Sequence, residues 1–445
     1  MNENRILSAF LGQYGFDSEG VGVNGIIDAL LYDMERGLRE NSGETQGAMA
    51  SSHAMIPTWM LPPETSPKNQ SVVVIDAGGT NFRSCLVSFD GSGKSDISLL
   101  QRSTMPAIDR ELSKSEFYGA MAENLAHLKN KATRVGFCFS YPMKILPDGD
   151  GEVIYFSKEV KAPEVIGTKV GANLATSLAA KGWNRPEKIT LLNDTVAALL
   201  AGAANIADGR RYDSFVGLIL GTGMNTAYIE SGAIPKIAGV PNAPKSQIIV
   251  CESGNFNKVT QSAFDLAADK KTTTPGVHIT EKMCSGGYIG QAAGEALKQA
   301  ATDGLFSSAV ARAFGDSFAL TLKDMDQFLY GPYRTDTLLG EIAARGTDAD
   351  YHLLYGILDA FVERCARYMA ALIAASVIKS GKGAHPARPV CVLCEGTAFA
   401  KTHNLKPRII GHLEAVLTKE RHLYYELVSF DNAITVGTAI AGLCG

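Results

Sequence analysis

Two glycine turns and one carboxylate are the residues in this chain whose type and setting point to chemistry. Gly78-Gly79-Thr80 lies between Ser71-Val72-Val73-Val74-Ile75-Asp76 and Asn81-Phe82-Arg83-Ser84-Cys85-Leu86-Val87. Gly221-Thr222-Gly223 lies in the same way between residues 215–220 and 224–230. A glycine turn brings backbone N–H groups close to phosphate oxygens, because no Cβ intervenes and several donors converge on one point. Two such turns could grip one polyphosphate. Taken singly, each is equally an ordinary hairpin turn that uses glycine for positive φ. Asn193-Asp194 ends the strand-like run Ile189-Thr190-Leu191-Leu192 and opens a helical run over 195–207. Open α/β sheets bind ligands at the carboxyl ends of their strands, which makes Asp194 a candidate reacting carboxylate. Its other reading is a helix N-cap, and both readings keep it ionised.

Other motifs do not carry through. Gly93-Lys94-Ser95 imitates the end of a Walker phosphate loop, but Ser88 stands where the first glycine belongs and the stretch joins two strand-like runs. No G-x-G-x-x-G follows a strand, so a dinucleotide fold has no support. There is no G-x-S-x-G elbow, and the 8 histidines contain no H-E-x-x-H. Cys391 and Cys394 form a C-x-x-C inside Val390-Cys391-Val392-Leu393-Cys394, which reads as a buried strand, with no second pair at zinc spacing. The 8 cysteines follow no repeating framework, so reduced thiols are expected.

The elements that position these residues alternate. A helix over 26–38 precedes a proline-rich stretch, 56–67, which reads as an extended crossing segment because the residue before each proline is pushed out of the helical region. A domain boundary near residue 67 is expected. Strand, glycine turn and strand over 71–89 are followed by a helix over 117–129, a strand over 135–139, a helix over 170–180 and the strand 189–192. This alternation indicates α/β layering. The second hairpin, 215–230, repeats the first. Helices dominate beyond 260, over 292–301, 318–329 and 353–379, the last stopped by Gly381 and Gly383. A final α/β unit comprises a strand over 390–394, a helix over 405–417, a strand over 423–430 and a helix from 435.

The chain has 445 residues, too many for one ordinary core, and two domains of roughly 150–250 residues are expected. With 46% hydrophobic and 20% charged residues, disorder is excluded for most of the length. The 42 Lys and Arg against 46 Asp and Glu leave a net charge of -4, which attracts neither nucleic acid nor an anionic membrane. The first residues, Met-Asn-Glu-Asn-Arg, lack the basic start and apolar region of a signal peptide, so a cytoplasmic protein is expected. The longest apolar run, 368–378, falls short of the roughly 20 residues that span a bilayer and reads as a buried helix.

Five separated segments together resemble the hexokinase family. Asp76-Ala77-Gly78-Gly79-Thr80-Asn81-Phe82-Arg83 looks like its first phosphate motif, and Gly221-Thr222-Gly223-Met224-Asn225 like its second. Phe139-Ser140-Tyr141-Pro142 is similar to its sugar-binding signature. Leu192-Asn193-Asp194-Thr195-Val196 resembles the segment bearing its catalytic aspartate, and residues 281–290 resemble a further sugar-contacting stretch. The resemblance implies an actin-like (ribonuclease H-like) α/β fold of two domains around a central cleft. The large domain would comprise residues 1–66 and 195–432, and the small one 67–194 and a returning helix, 433–445. It implies ATP-dependent phosphorylation of the 6-hydroxyl of glucose or a related hexose, with Asp194 as the base and Arg83 neutralising developing charge. Asp76, Gly78, Gly79, Thr80, Asn81, Gly221, Thr222, Gly223, Glu395, Gly396 and Thr397 would bind the nucleotide, Asp76 also holding Mg²⁺ through water. Ser140, Ser157, Lys158, Asn193, Asp194, Asn225, Glu252 and Glu281 would bind the sugar. A catalytically weak sugar sensor, a kinase for another sugar, zinc-bearing bacterial sugar kinases and ATP-hydrolysing chaperones of the same fold are the alternatives. The chain departs from the family pattern at Phe156-Ser157-Lys158-Glu159-Val160, where Trp-Thr-Lys-Gly-Phe is usual. It also departs at Glu252-Ser253, where tryptophan commonly follows the glutamate, and at Glu395, where aspartate is usual.

Overall fold

The computed structural model describes residues 3–16, 22–40, 50–156, 160–204 and 209–444. Strands β1 (Ile56–Pro57), β2 (Gln70–Gly78), β3 (Asn81–Phe89), β4 (Ser95–Thr104), β5 (Arg134–Phe139), β6 (Met143–Ile145), β7 (Gly151–Val153) and β8 (Lys188–Leu192) come first. Strands β9 (Ser214–Leu220), β10 (Met224–Glu230), β11 (Gln247–Val250), β12 (Val390–Glu395) and β13 (Tyr425–Val428) follow. One sheet runs β4-β3-β2-β5-β8, and another runs β1-β11-β10-β9-β12-β13. β2 pairs antiparallel with β3 and parallel with β5, as β9 pairs with β10 and β12. Apart from β1, added at one edge, the second sheet therefore repeats the order and directions of the first. The repetition expected of the hairpins extends to the whole five-stranded unit.

Burial explains why these residues make these strands. In β2 the run Val72 to Ile75 is buried on both faces, as an apolar run without alternation requires. β4, at the sheet edge, is polar and mostly exposed. The first sheet packs Val73, Ile75, Phe137 and Phe139 against Phe117, Met121 and Leu174 of the helices Lys114–Asn124 and Val170–Ala180. The second sheet shares a larger core with the helix Asp348–Ser380, whose apolar run 368–378 is buried up to Val377, with Ile378 partly buried. Gly381, at φ +65°, ends that helix as expected. Among the described residues no helix is long and apolar enough to cross a membrane.

A third core lies between the sheets. It joins Val72, Val74 and Val87 of one sheet to Ala227, Ile248 and Val250 of the other, through Val196 and Leu199 of the helix Asp194–Ala204 and Ile440 of the helix Ala433–Cys444. Glycines permit the close approaches. A Cβ on Gly217 of β9 would stand 2.4 Å from the Thr195 carbonyl, and one on Gly136 of β5 would stand 2.1 Å from the Thr438 carbonyl. The helix that follows the first sheet thus packs on the second, and the helix that follows the second packs on the first.

Some boundaries differ from expectation. The helix expected over 318–329 is Leu322–Tyr330, because the Thr321 side chain accepts from Asp324 N–H and closes a capping box. The strand expected over 423–430 is shortened to Tyr425–Val428. The helix expected over 195–207 begins at Asp194 and is described to Ala204. The helix Glu3–Gln13, β11 and the β6–β7 hairpin had no counterpart in the sequence reading.

Candidate active site

The first glycine turn joins β2 to β3, with Gly78 opposite Asn81 and Gly79 at φ +60°. Its backbone is held by Tyr141, whose hydroxyl donates to the Gly79 carbonyl at 2.7 Å. Tyr141 is seated against Phe139 and Phe156, with ring centroids 4.8 and 5.2 Å away. Ser140 N–H donates to the Ala77 carbonyl at 3.0 Å, and a Cβ on Gly78 would come within 2.9 Å of the Ser140 Cβ. The strand end that carries Ser140 is therefore packed directly beside the turn.

The second turn, Gly221-Thr222-Gly223, joins β9 to β10. Gly286 N–H donates to the Gly221 carbonyl at 2.8 Å and Gly287 N–H to the Thr222 carbonyl at 3.0 Å. The other end of the turn is fixed by Glu281, whose Oε2 accepts from Met224 N–H at 3.0 Å. Gly396, at φ +116°, lies against the Leu220 carbonyl, where a Cβ would be 2.1 Å from the oxygen. Glu395-Gly396-Thr397, at the end of β12, is thereby set beside this turn. Burial, then the field of Asp431, pushes the Glu395 carboxyl up against the pull of the Gly396 N–H.

Asp194 is the first residue of its helix, but the capping bond comes from Asn193, whose Oδ1 accepts from Thr195 N–H at 2.6 Å. Thr195 Oγ1 donates to Asp194 Oδ1 at 3.1 Å. Asp76 and Arg83 are cross-strand partners on β2 and β3, with Arg83 Nη1 3.8 Å from Asp76 Oδ2. Burial pushes the Asp76 carboxyl up; Arg83 opposes this and the field of Asp194 adds to it. Asp76 and the neighbouring Asp194 are hard oxygen donors suited to Mg²⁺, which binds through one or two carboxylates plus substrate phosphates.

The field of Asp194 also reaches Glu252. The Glu252 carboxyl is pushed up to about 7, first by burial, then by the field of Asp194, with Glu281 adding and Asn225 opposing. Asn225 Nδ2 donates to Glu252 Oε1 at 3.0 Å, while Asn225 Oδ1 accepts from Thr226 and Ser253 N–H at 2.8 and 3.2 Å. Tyr155, exposed at the end of the first sheet's hairpin insertion, has its hydroxyl raised by burial and by the fields of Glu252 and Glu281.

The structure therefore brings together Asp76, Arg83, the two turns, Asn193, Asp194, Asn225, Glu252 and Glu281, with Ser140 beside the first turn and Glu395, Gly396 and Thr397 beside the second. Ser157 and Lys158 lie outside the described residues. Sequence reasoning placed Tyr141 in a sugar-binding signature and Gly286 and Gly287 in a sugar-contacting stretch but missed their support of the turns, and it assigned no role to Tyr155. The glycine doublet after Ser285 was the one available signal, since adjacent glycines mark a close backbone approach. Cys391 and Cys394 lie in β12 as expected. Burial pushes the Cys391 thiol up to about 12 and also raises that of Cys394, so neither is a thiolate near neutral pH.

Two sequence models of the hexokinase family match, one over residues 13–204 and the other over 215–444. Hexokinase-5 of Oryza sativa subsp. japonica is 28% identical over 391 residues, 82% of this chain and 74% of that one. Hexokinase-1 of Schizosaccharomyces pombe is 24% identical over 93% of this chain and 86% of its own. The solved structure of the Schistosoma mansoni hexokinase complexed with glucose aligns over 100% of both chains with a TM-score of 0.77 at 22% identity. The protein is a phosphotransferase built on the actin-like fold, two α/β domains around a central cleft. It belongs to the hexokinase family.

Proposed function

We propose that the protein transfers the γ-phosphoryl group of ATP to the 6-hydroxyl of glucose or a related hexose. The observation that carries this reading is the place of Asp194, whose field reaches Asp76 on the nucleotide side and Glu252 on the sugar side. A carboxylate so placed accepts the proton of the attacking hydroxyl late in the transfer, and needs no strongly raised pKa for that task. Asn193 fixes the start of the helix and so the position of that carboxylate. Arg83 neutralises charge that develops on the transferred group. Gly78, Gly79, Thr80, Asn81, Gly221, Thr222 and Gly223 cradle the phosphates, and Glu395, Gly396 and Thr397 border the nucleoside. Mg²⁺, which Asp76 would hold through water, would supply charge neutralisation to the phosphates. Ser140, Ser157, Lys158, Asn193, Asn225, Glu252 and Glu281 pair the sugar hydroxyls, since an unpaired buried hydroxyl is costly.

Residues 1–66 and 195–432 form the large domain of this reading, and 67–194 with 433–445 the small one. Closing the cleft on the sugar would exclude water that otherwise takes the phosphoryl group. A cytoplasmic setting suits the seven buried free cysteines, which stay reduced there.

The test is a coupled assay of hexose 6-phosphate formation. Asp194→Ala is expected to lower turnover by roughly 10²–10⁴-fold with the fold intact, the range for a positioned general base. Turnover equal to the unaltered protein would sink the mechanism, and a sugar sensor would show hexose binding with no turnover in either form.

A further inference from the structure

We propose that Arg102 is a second phosphate-binding cation of the site, which together with Arg83 holds the terminal phosphate of the nucleotide. This deepens the sugar-kinase reading and rests on its assignment of the glycine turns to phosphate.

The assignment follows from strand register. Asp76 on β2 stands opposite Arg83 on β3, and Arg83 stands opposite Arg102 on β4. Directly opposite residues of an antiparallel pair share a face of the sheet. The three side chains therefore form a row across one face, with the carboxylate at one end and two guanidinium groups beyond it. The row beside the glycine turn is Gly78, Asn81 and Thr104, and because side chains alternate along a strand it shares that face. Asn81, Arg83, Arg102 and Thr104 are all exposed. The row between points the other way, with Ala77 and Phe82 buried under the helices Lys114–Asn124 and Val170–Ala180. Deeper along the arginines' own face, Val74 and Cys85 enter the core between the two sheets. The arginines are thus on the side of the first sheet that looks toward the second.

Backbone pairing fixes Arg102 relative to the turn. Met105 N–H donates to the Thr80 carbonyl at 2.9 Å and ties the end of β4 to the turn itself. The register then runs without interruption from Asn81–Thr104 to Ser84–Gln101, and shifts only between Ser84 and Leu86. A phosphate seated on the backbone of this turn would meet both guanidinium groups at a fixed offset.

The two arginines are not equivalent. Arg83 Nη1 lies 3.8 Å from Asp76 Oδ2, so part of its charge is already offset. Arg102 has no carboxylate within ion-pair distance among the described residues. β4 is the edge of its sheet, so the far side of Arg102 is open. Like charges directly opposite one another on adjacent strands are destabilising, and an anion that joins them removes the cost. A planar guanidinium suits two phosphate oxygens at once. An edge strand can also carry a charge only to repel other strands, but that role makes no demand on the nucleotide.

The experiment is isothermal titration of the full chain with Mg²⁺ and a non-hydrolysable ATP analogue, and separately with Mg²⁺ and ADP, which lacks the terminal phosphate. Melting curves confirm that each variant is folded. Arg102→Ala is expected to weaken analogue binding by about fivefold to tenfold, and ADP binding by less than about twofold, as the loss of one charge-assisted contact to the terminal phosphate requires. Arg102→Lys, which keeps the charge without the fork, should fall between the two. Added salt should narrow the gap between the unaltered protein and Arg102→Ala, because the contact is exposed. Analogue affinity unchanged in Arg102→Ala, or analogue and ADP weakened by the same factor, overturns the assignment. A loss confined to hexose 6-phosphate, titrated in the same way, would place Arg102 on the product and overturn it as well. An unaltered protein that forms no hexose 6-phosphate, while its analogue binding still depends on Arg102, overturns the sugar-kinase reading and keeps this assignment.

Discussion

At the scale of single residues, carboxylates outnumber cations among the described residues of the site. The field of Asp194 reaches both Asp76 and Glu252, that of Glu281 reaches Glu252, and burial with these fields raises the carboxyls of Asp76 and Glu252. Glu252 has a pH consequence that can be signed. Its folded value, about 7, exceeds its ordinary 4.5, so the folded protein holds a proton there that the unfolded chain has released. The stability it contributes is full below about 4.5 and lost as pH rises through about 7. Thermal melts of the unliganded protein between pH 5 and 8 should show a decline that Glu252→Gln removes. An identical slope in that variant would refute the assignment. Asn193 shows how far residue types could be read. A strand-ending Asn-Asp pair announced a helix start, but which of the two supplied the cap depended on side-chain geometry that two such similar residues do not reveal.

At the scale of elements, glycine separates site from scaffold. Gly396 combines φ +116° with a carbonyl 2.1 Å from its absent Cβ, whereas Gly119, inside the helix Lys114–Asn124, has nothing within 4 Å. Gly396→Ala should destabilise the protein by about 1–3 kcal/mol from backbone strain alone and weaken nucleotide binding. Gly119→Ala should stabilise it by about 1 kcal/mol, the helix-propensity difference. Urea titration of the two variants checks both signs, and a stabilised Gly396→Ala protein would contradict the account of the second turn. The hairpins, the long helix and the strand 390–394 were legible because their signals are local: apolar runs, glycine turns and a glycine stop. The supports of the turns were not. Tyr141 meets Gly79 from 62 residues away, and Gly286 meets Gly221 from a separate helix-rich region. Nothing in a hydrophobic period records such a meeting.

At the scale of the whole molecule, two helices between the sheets bind the halves together. A Cβ on Gly437 would stand 1.7 Å from the Ala197 carbonyl, so the C-terminal helix touches the helix of Asp194 at its backbone. Gly437→Ala should cost about 3 kcal/mol or more by overpacking, and should lower kcat because the displaced helix begins at Asp194. Unfolding curves and turnover would check this, and a variant with unaltered values of both would show that the contact is slack. The exchange of these helices between sheets was implied by the family resemblance and by no local pattern, because the chain gives no local sign of which sheet a helix will cover.

The matching strand orders have one more consequence. Asp194 follows the last strand of the first sheet and opens the helix after it, and Asp431-Asn432 holds the corresponding corner after β13, before Ala433–Cys444. A gene segment copied end to end would yield this pattern, one glycine hairpin in each copy and one acid at each strand exit.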